Sequence, residues 1–158
     1  GDPGDAVGPT YASFSGLIGN RSNDRTGANV DQRIQRDGSV IAFDGLSTPA
    51  TIFAKYIPET GHNIPQVFYD YLTKRDVVYV NGRTTQGLVM DWVYTMGYPI
   101  SEPYWTRATV GGSEQWVLVQ PFERRVLTYV PSNPSAWQVE QGNVGRHYYR
   151  WRYGNEPS

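Results

Sequence analysis

The chain has 158 residues, a formal net charge of −1 and no cysteine. That composition excludes disulfides, thiol catalysis, cysteine-bound zinc and iron–sulfur clusters, and gives no whole-chain attraction to a polyanion. No apolar run approaches the ~20 residues of a membrane span, and a chain this long buries roughly two thirds of its unfolded surface, enough for one core without a staple. Aromatic content is high, with 12 Tyr, 5 Trp and 5 Phe. Rings of this kind serve either a bulky core or a surface for stacking. A start at Gly1, without initiator Met or signal peptide, reads as a processed or trimmed chain.

Residues 1–9 are glycine, proline and acid, and read as a flexible leader. Tyr11, Phe14, Leu17 and Ile18 recur at helical spacing and predict one or two helical turns. Residues 19–27 are loop, with an Asn-x-Ser pattern at Asn20 that carries no functional weight. Asp37-Gly38 predicts a two-residue hairpin turn, which places Ile34 opposite Ile41 and Gln32 opposite Phe43. A strand follows at residues 52–57, ended by Pro58. From Asn63 the sequence predicts a helix: Asn63 caps it, Pro65 sits in its first turn, and Ile64, Val67, Phe68, Tyr71 and Leu72 form its stripe. Lys74 and Arg75 close it. A second helix is predicted over residues 88–96, stopped by Gly97 and Pro99.

Residues 103–130 read as strands. Gly111-Gly112 turns residues 104–110 back onto 113–119, with Trp105 opposite Leu118 and Thr106 opposite Val117. Pro121 ends the second strand, residues 122–125 make a corner, and 126–130 return. The tail from Gly142 predicts another helix, with Val144, Tyr148 and Trp151 on one side. The expected fold class is α+β, a single domain over residues 10–158 of antiparallel β-hairpins packed with three or four short helices.

The string Gly97-Tyr98-Pro99-Ile100-Ser101-Glu102 resembles the signature of LGFP repeats, short modules of secreted, envelope-associated bacterial proteins. Gln120-Pro121-Phe122-Glu123 before Val126-Leu127-Thr128-Tyr129 is similar to their second element. With Pro58-Glu59-Thr60-Gly61-His62 and Gly142-Asn143-Val144-Gly145, these strings also resemble an uncharacterised group of secreted bacterial proteins over residues 58–153. True LGFP repeats are shorter and tandem, and Arg124-Arg125 stands where their corner is glycine-rich. The resemblance implies an extracellular, envelope-facing role and carries over no catalytic residue. Within the strings, Glu102 reads as an acceptor for backbone N–H groups of its turn or as a partner of Arg124 or Arg125.

Candidate chemistry is sparse. His62, two residues from Thr60 and three from Glu59, reads as a general base oriented by Glu59, or more plainly as part of the turn before a helix. No nucleophile elbow, Ser-x-x-Lys or phosphate loop accompanies it. No metal-ligand spacing is present. Paired carboxylates of a glycosidase would come from Glu59, Glu102, Glu114, Glu123 and Glu140, with no pair singled out. The interleaved cations and rings of residues 146–153 fit a single-strand nucleic-acid groove, or more plainly an amphipathic helix.

Tyr104, Trp105, Trp116 and Trp137 are the candidate ligand-binding residues, each alternatively a core ring. A ring over a sugar's C–H face, flanked by Glu or Arg, is the expected mechanism. The expectation is a secreted binding module for cell-wall or extracellular polysaccharide, with no cofactor, no metal, no nucleic acid and no membrane span. A small polysaccharide hydrolase and a self-associating surface or filament subunit are the alternatives.

Overall fold

A computed structural model describes residues 5–142. Turn chemistry lays out most of what it contains. Strands β1 (Gln32–Ile34) and β2 (Val40–Ala42) form one hairpin, β3 (Phe53–Ile57) and β4 (His62–Pro65) a second, β5 (Arg75–Val80) and β6 (Arg83–Leu88) a third. The meander β7 (Tyr104–Val110), β8 (Ser113–Pro121), β9 (Val126–Tyr129) and β10 (Val139–Gly142) follows. Helices α1 (Gln66–Leu72) and α2 (Trp92–Met96) are short, and three single 3-10 turns complete the described residues. Among the described residues the fold is therefore mostly β, with ten strands and two α-helices, and the α+β expectation with three or four helices is corrected.

The main sheet has six strands in the order β10-β9-β8-β7-β1-β2. Every neighbouring pair is antiparallel except β1 with β7, which meet in parallel where Arg33 pairs with Trp105. Gly111 and Gly112, at φ 60° and 77°, supply the positive dihedrals of the two-residue β7–β8 turn. The register is the one expected, Trp105 with Leu118 and Thr106 with Val117.

Alternation then sorts side chains onto two faces. One face carries Trp105, Leu118, Leu127 and Tyr129, and packs against Phe53 and Ile64 of the β3–β4 hairpin and Phe68 and Leu72 of α1. The other carries Tyr104 and Val119, which pack with Phe14 and Ile34. Phe14 arrives on the N-terminal 3-10 turn Tyr11–Phe14, whose Ser13 Oγ donates to the Arg36 carbonyl at 2.6 Å. Residues 5–9 lie on this same side: Asp5 Oδ1 accepts the N–H groups of Val7 (2.8 Å) and Gly8 (3.0 Å), and Arg36 Nη1 donates to the Gly8 carbonyl at 2.7 Å.

Three local expectations shift. The β1–β2 loop spans three residues, 36–38: Gln35 N–H donates to the Ser39 carbonyl and Gly38, at φ 87°, takes the left-handed position. Ile34 therefore faces Val40, one residue off the expected register, and Ile41 turns outward. The Ser13 carbonyl would lie 2.6 Å from any Cβ on Gly38, so that loop closes only on glycine.

Second, helix α1 starts after Pro65 rather than at Asn63, because a proline disfavours helical dihedrals in the residue before it. Asn63 and Ile64 remain extended in β4, and Thr73 rather than Lys74 or Arg75 ends the helix. Third, Leu88 closes strand β6, and the predicted second helix shrinks to Trp92–Met96, capped by the Asp91 carboxylate on the Tyr94 N–H at 3.1 Å. Gly97 ends it at φ 74° as expected. The predicted tail helix from Gly142 lies outside the described residues, apart from Gly142, which belongs to β10.

Burial, and then the charge of Glu102, push the Tyr104 phenol up to about 12. A phenol with a raised folded-state value is neutral and stabilising below pH 10, and that stability drains as pH climbs through the folded value. Stability is thus expected to fall by at most about 2 kcal/mol between pH 10 and 12. Tyr104→Phe should flatten most of that slope in urea titrations at stepped pH. An unchanged slope would assign alkaline sensitivity to other groups.

Candidate functional site

Strand β8 is longer than the strand beside it. β9 pairs only with Leu118 to Pro121, so among the described residues 113–117 of β8 have β7 as their one ladder partner. Beyond Tyr129 the chain leaves the sheet in a loop over residues 130–138, closed by the Val130 N–H on the Gln138 carbonyl at 2.8 Å. The Gln138 amide ties the loop further, donating to the carbonyls of Pro131 (3.1 Å) and Asn133 (3.0 Å). Between the open edge of β8 and this loop lies a concavity of about 270 Å³, lined by Leu46, Gln115, Trp116, Pro131 and Ser132. Ser132 donates its hydroxyl to the Gln115 side-chain carbonyl at its rim.

The ladder alternates the direction of backbone groups. Val110 and Ser113 flank the turn and bond each other, so Trp116, three residues on, aims its N–H and C=O at the open edge. Its indole is half-buried, stacked on Phe43 with centroids 4.3 Å apart and planes 28° apart. Arg107, its cross-strand neighbour, holds its guanidinium 5.4 Å from the indole centroid and 3.4 Å from Glu114. The notch thus joins an aromatic ring with several hydrogen-bonding groups, and the Arg107 cation stands against that ring from the neighbouring strand.

The four candidate ligand-binding aromatics separate. Trp105 is fully buried and Tyr104 is 7% exposed, because the two sheet faces they occupy are covered by α1 with β3–β4 and by Phe14. Neither offers a face to a ligand in this fold. Trp116 lines the concavity, and Trp137 is 66% exposed at the end of the 3-10 turn Ser135–Trp137, on the loop that supplies Pro131 and Ser132. Phe43, Leu46 and Ser132 were not among the candidates. Arg107 beside Trp116 was legible, since the Gly111-Gly112 turn sets that register; Leu46 comes from a loop distant in sequence and left no signal.

A second polar cluster is internal. Glu102, 8% exposed, accepts the Asn63 N–H at 2.8 Å and the Asn63 amide at 3.2 and 3.3 Å on its two oxygens. His62, 1% exposed, places Nδ1 3.4 Å from Glu102 Oε1, and neither ring nitrogen has a hydrogen-bond partner among the described residues. Gln120 donates to the carbonyls of Asn63 (2.9 Å) and Ser101 (3.1 Å). Glu59 is exposed, and its carbonyl, with that of Pro58, accepts from Arg21. The acid beside His62 is thus Glu102, and Glu102 accepts a backbone N–H from β4 rather than from its own turn or an arginine.

Three of the four resembling strings meet around this cluster. Pro99 bridges Phe122, the Ile100 N–H reaches the Pro121 carbonyl, and Glu102 reaches His62 and Asn63. A Cβ on Gly97 would collide with the Glu123 side chain, so the left-handed cap also permits a close crossing. Glu114 pairs with Arg107, Glu123 sits 3.9 Å from Arg124, and Glu59 and Glu140 face solvent. Among the described residues no three His, Asp or Glu side chains gather into a metal-holding group, and no helix is long and apolar enough to cross a membrane. The nucleic-acid-like string at residues 146–153 lies outside the described residues. Comparison of the chain with protein-family models, with curated proteins and with solved structures finds no match.

Proposed function

We propose that this chain is a secreted, envelope-associated binding module that takes a sugar unit of a polysaccharide in the notch beside Trp116. The observation that carries the reading is the indole at an open strand edge, next to Gln115 and Ser132, in a concavity of about 270 Å³. A volume slightly below the usual range of small-molecule pockets suits one ring of a polymer better than a whole free ligand. The apolar face of the sugar would lie along Trp116, Leu46 and Pro131. Its hydroxyls would meet the Gln115 and Ser132 side chains and the outward backbone groups of Trp116. Trp137 on the same loop supplies a second ring for the next unit. The envelope-facing part of the reading rests on the four resembling strings.

The test is retention on insoluble peptidoglycan and polysaccharides, with analysis of sugars released into solution. Retention without released product is expected, weakened about tenfold, or ~1.4 kcal/mol, by Trp116→Ala and less by Trp137→Ala. Released oligosaccharide would make the chain an enzyme instead. Absence of retention on every polymer would remove the binding reading.

A further inference from the structure

The β5–β6 hairpin stands apart from the rest of the molecule. All its residues except Val78 and Gly87 are exposed, including Val77 (60%), Tyr79 (74%), Val80 (50%) and Leu88 (45%). Among the described residues its two strands form a separate sheet, paired only with each other. A two-stranded hairpin in water is marginal by itself, and one with apolar side chains outward is a template for another strand. Asn81-Gly82, at φ 50° and 79°, closes it in a two-residue turn, so Val80 and Arg83 bond each other. Alternation then sends the backbone groups of Arg75, Val77 and Tyr79 to the free edge of β5. One of them is already covered: the Asp76 carboxylate accepts the Val77 N–H at 2.7 Å.

We propose that this edge is where two copies of the chain pair, β5 against β5, antiparallel about a twofold axis at Val78. Two properties of the strand select this occupant and register. On one face, the twofold sets Val77 opposite Tyr79 of the second copy, twice over. Aromatic against β-branched is a favourable cross-strand pair, and these residues exchange their outward N–H and C=O groups.

On the other face it sets Asp76 opposite Val80 of the second copy, whose hairpin neighbour is Arg83. The carboxylate and the guanidinium then share one row, roughly 10 Å apart at the backbone, within reach of an extended arginine. Within one chain Asp76 faces Gly87 and Arg83 faces Val80, four positions along the ladder, roughly 13 Å apart. Their charges are thus complementary between copies. As the copies pair, the Val77 N–H passes from Asp76 to the Tyr79 carbonyl of the second copy, and the freed carboxylate turns to Arg83.

Sedimentation of the purified chain over a range of concentrations tests this. The expected result is a monomer–dimer equilibrium in which Val77→Lys abolishes the dimer, while circular dichroism stays unchanged because the hairpin lies outside the core. Asp76→Arg and Arg83→Asp should each weaken the dimer about tenfold, and the double exchange should restore it. Amide exchange at Tyr79 should slow as concentration rises. A monomer at every concentration, or a dimer indifferent to Val77→Lys, overturns the proposal; failure of the double exchange to restore pairing overturns the register. Hairpin-dependent capture of an unrelated strand or a lipid vesicle by a persistently monomeric chain would assign the edge to that occupant instead.

Discussion

Glu102→Ala is expected to destabilise the fold by about 3 kcal/mol, read as a fall in the urea midpoint at neutral pH. The carboxylate is 8% exposed and is the acceptor for both the Asn63 N–H and the Asn63 amide. Alanine leaves those donors buried, and β4 loses its tie to the segment leading into β7. The loss spreads because the Asn63 side chain has further duties. Its amide also donates to the Asn23 carbonyl at 2.9 Å, and its carbonyl accepts the Arg25 N–H at 2.9 Å, so the turn at residues 23–25 hangs on the same group.

Glu102→Gln keeps the shape and one acceptor for the Asn63 N–H, and should cost less than half as much. It should also lower the Tyr104 phenol, because the Glu102 charge is the second cause of its rise after burial. A Glu102→Ala midpoint within 1 kcal/mol of the parent would mean that the cluster is not holding β4. That result would also reopen a chemical role for His62 and Glu102.

Trp105→Ala carries the other large effect, about 3–5 kcal/mol, as for the deletion of a fully buried ring. Trp105 has no exposed surface, pairs with Leu118 across the ladder and lies 6.3 Å from the Tyr129 ring in the main core. A cavity of that size at the centre of the sheet cannot be closed by the strands around it, which are tied on both sides. Trp105→Phe should be far milder, since it refills most of the volume and removes an indole N–H that has no acceptor among the described residues. Urea unfolding of both variants decides the matter. Should Trp105→Ala keep its stability while losing polysaccharide retention, the ring would be a ligand-binding residue and the assigned core would be wrong. Trp116→Ala serves as the contrast, because that ring is half-buried and its loss should weaken retention with a small effect on the midpoint.

What the amino-acid sequence determined by itself was local. The β7–β8–β9 meander follows from Gly111-Gly112 and from Pro121, because a two-residue turn leaves only one register. The Gly97 helix end and strand β3 are likewise set by dihedral demands within a few residues. Asn81-Gly82 carries the same kind of signal for the β5–β6 hairpin, but the helical spacing of Leu88, Trp92 and Met96 competes with it and the expected helix runs into the strand. At Asp37-Gly38 the expected two-residue turn is one residue shorter than the loop that forms, and period-2 alternation turns that slip into an exchange of faces.

Tertiary structure decided everything that depends on what lies above a sheet face. Alternation places Trp105 and Trp116 on the same face of the main sheet; α1 and β3–β4 cover one, and the other sits at the notch where β9 stops. Nothing within either residue's neighbourhood in sequence distinguishes them. The same holds for Glu102, whose partner Asn63 is 39 positions away. Burial and long-range pairing are properties of surfaces brought together by folding, so the chain's local chemistry settles its turns while its packing settles which of its rings and acids remain available to a ligand.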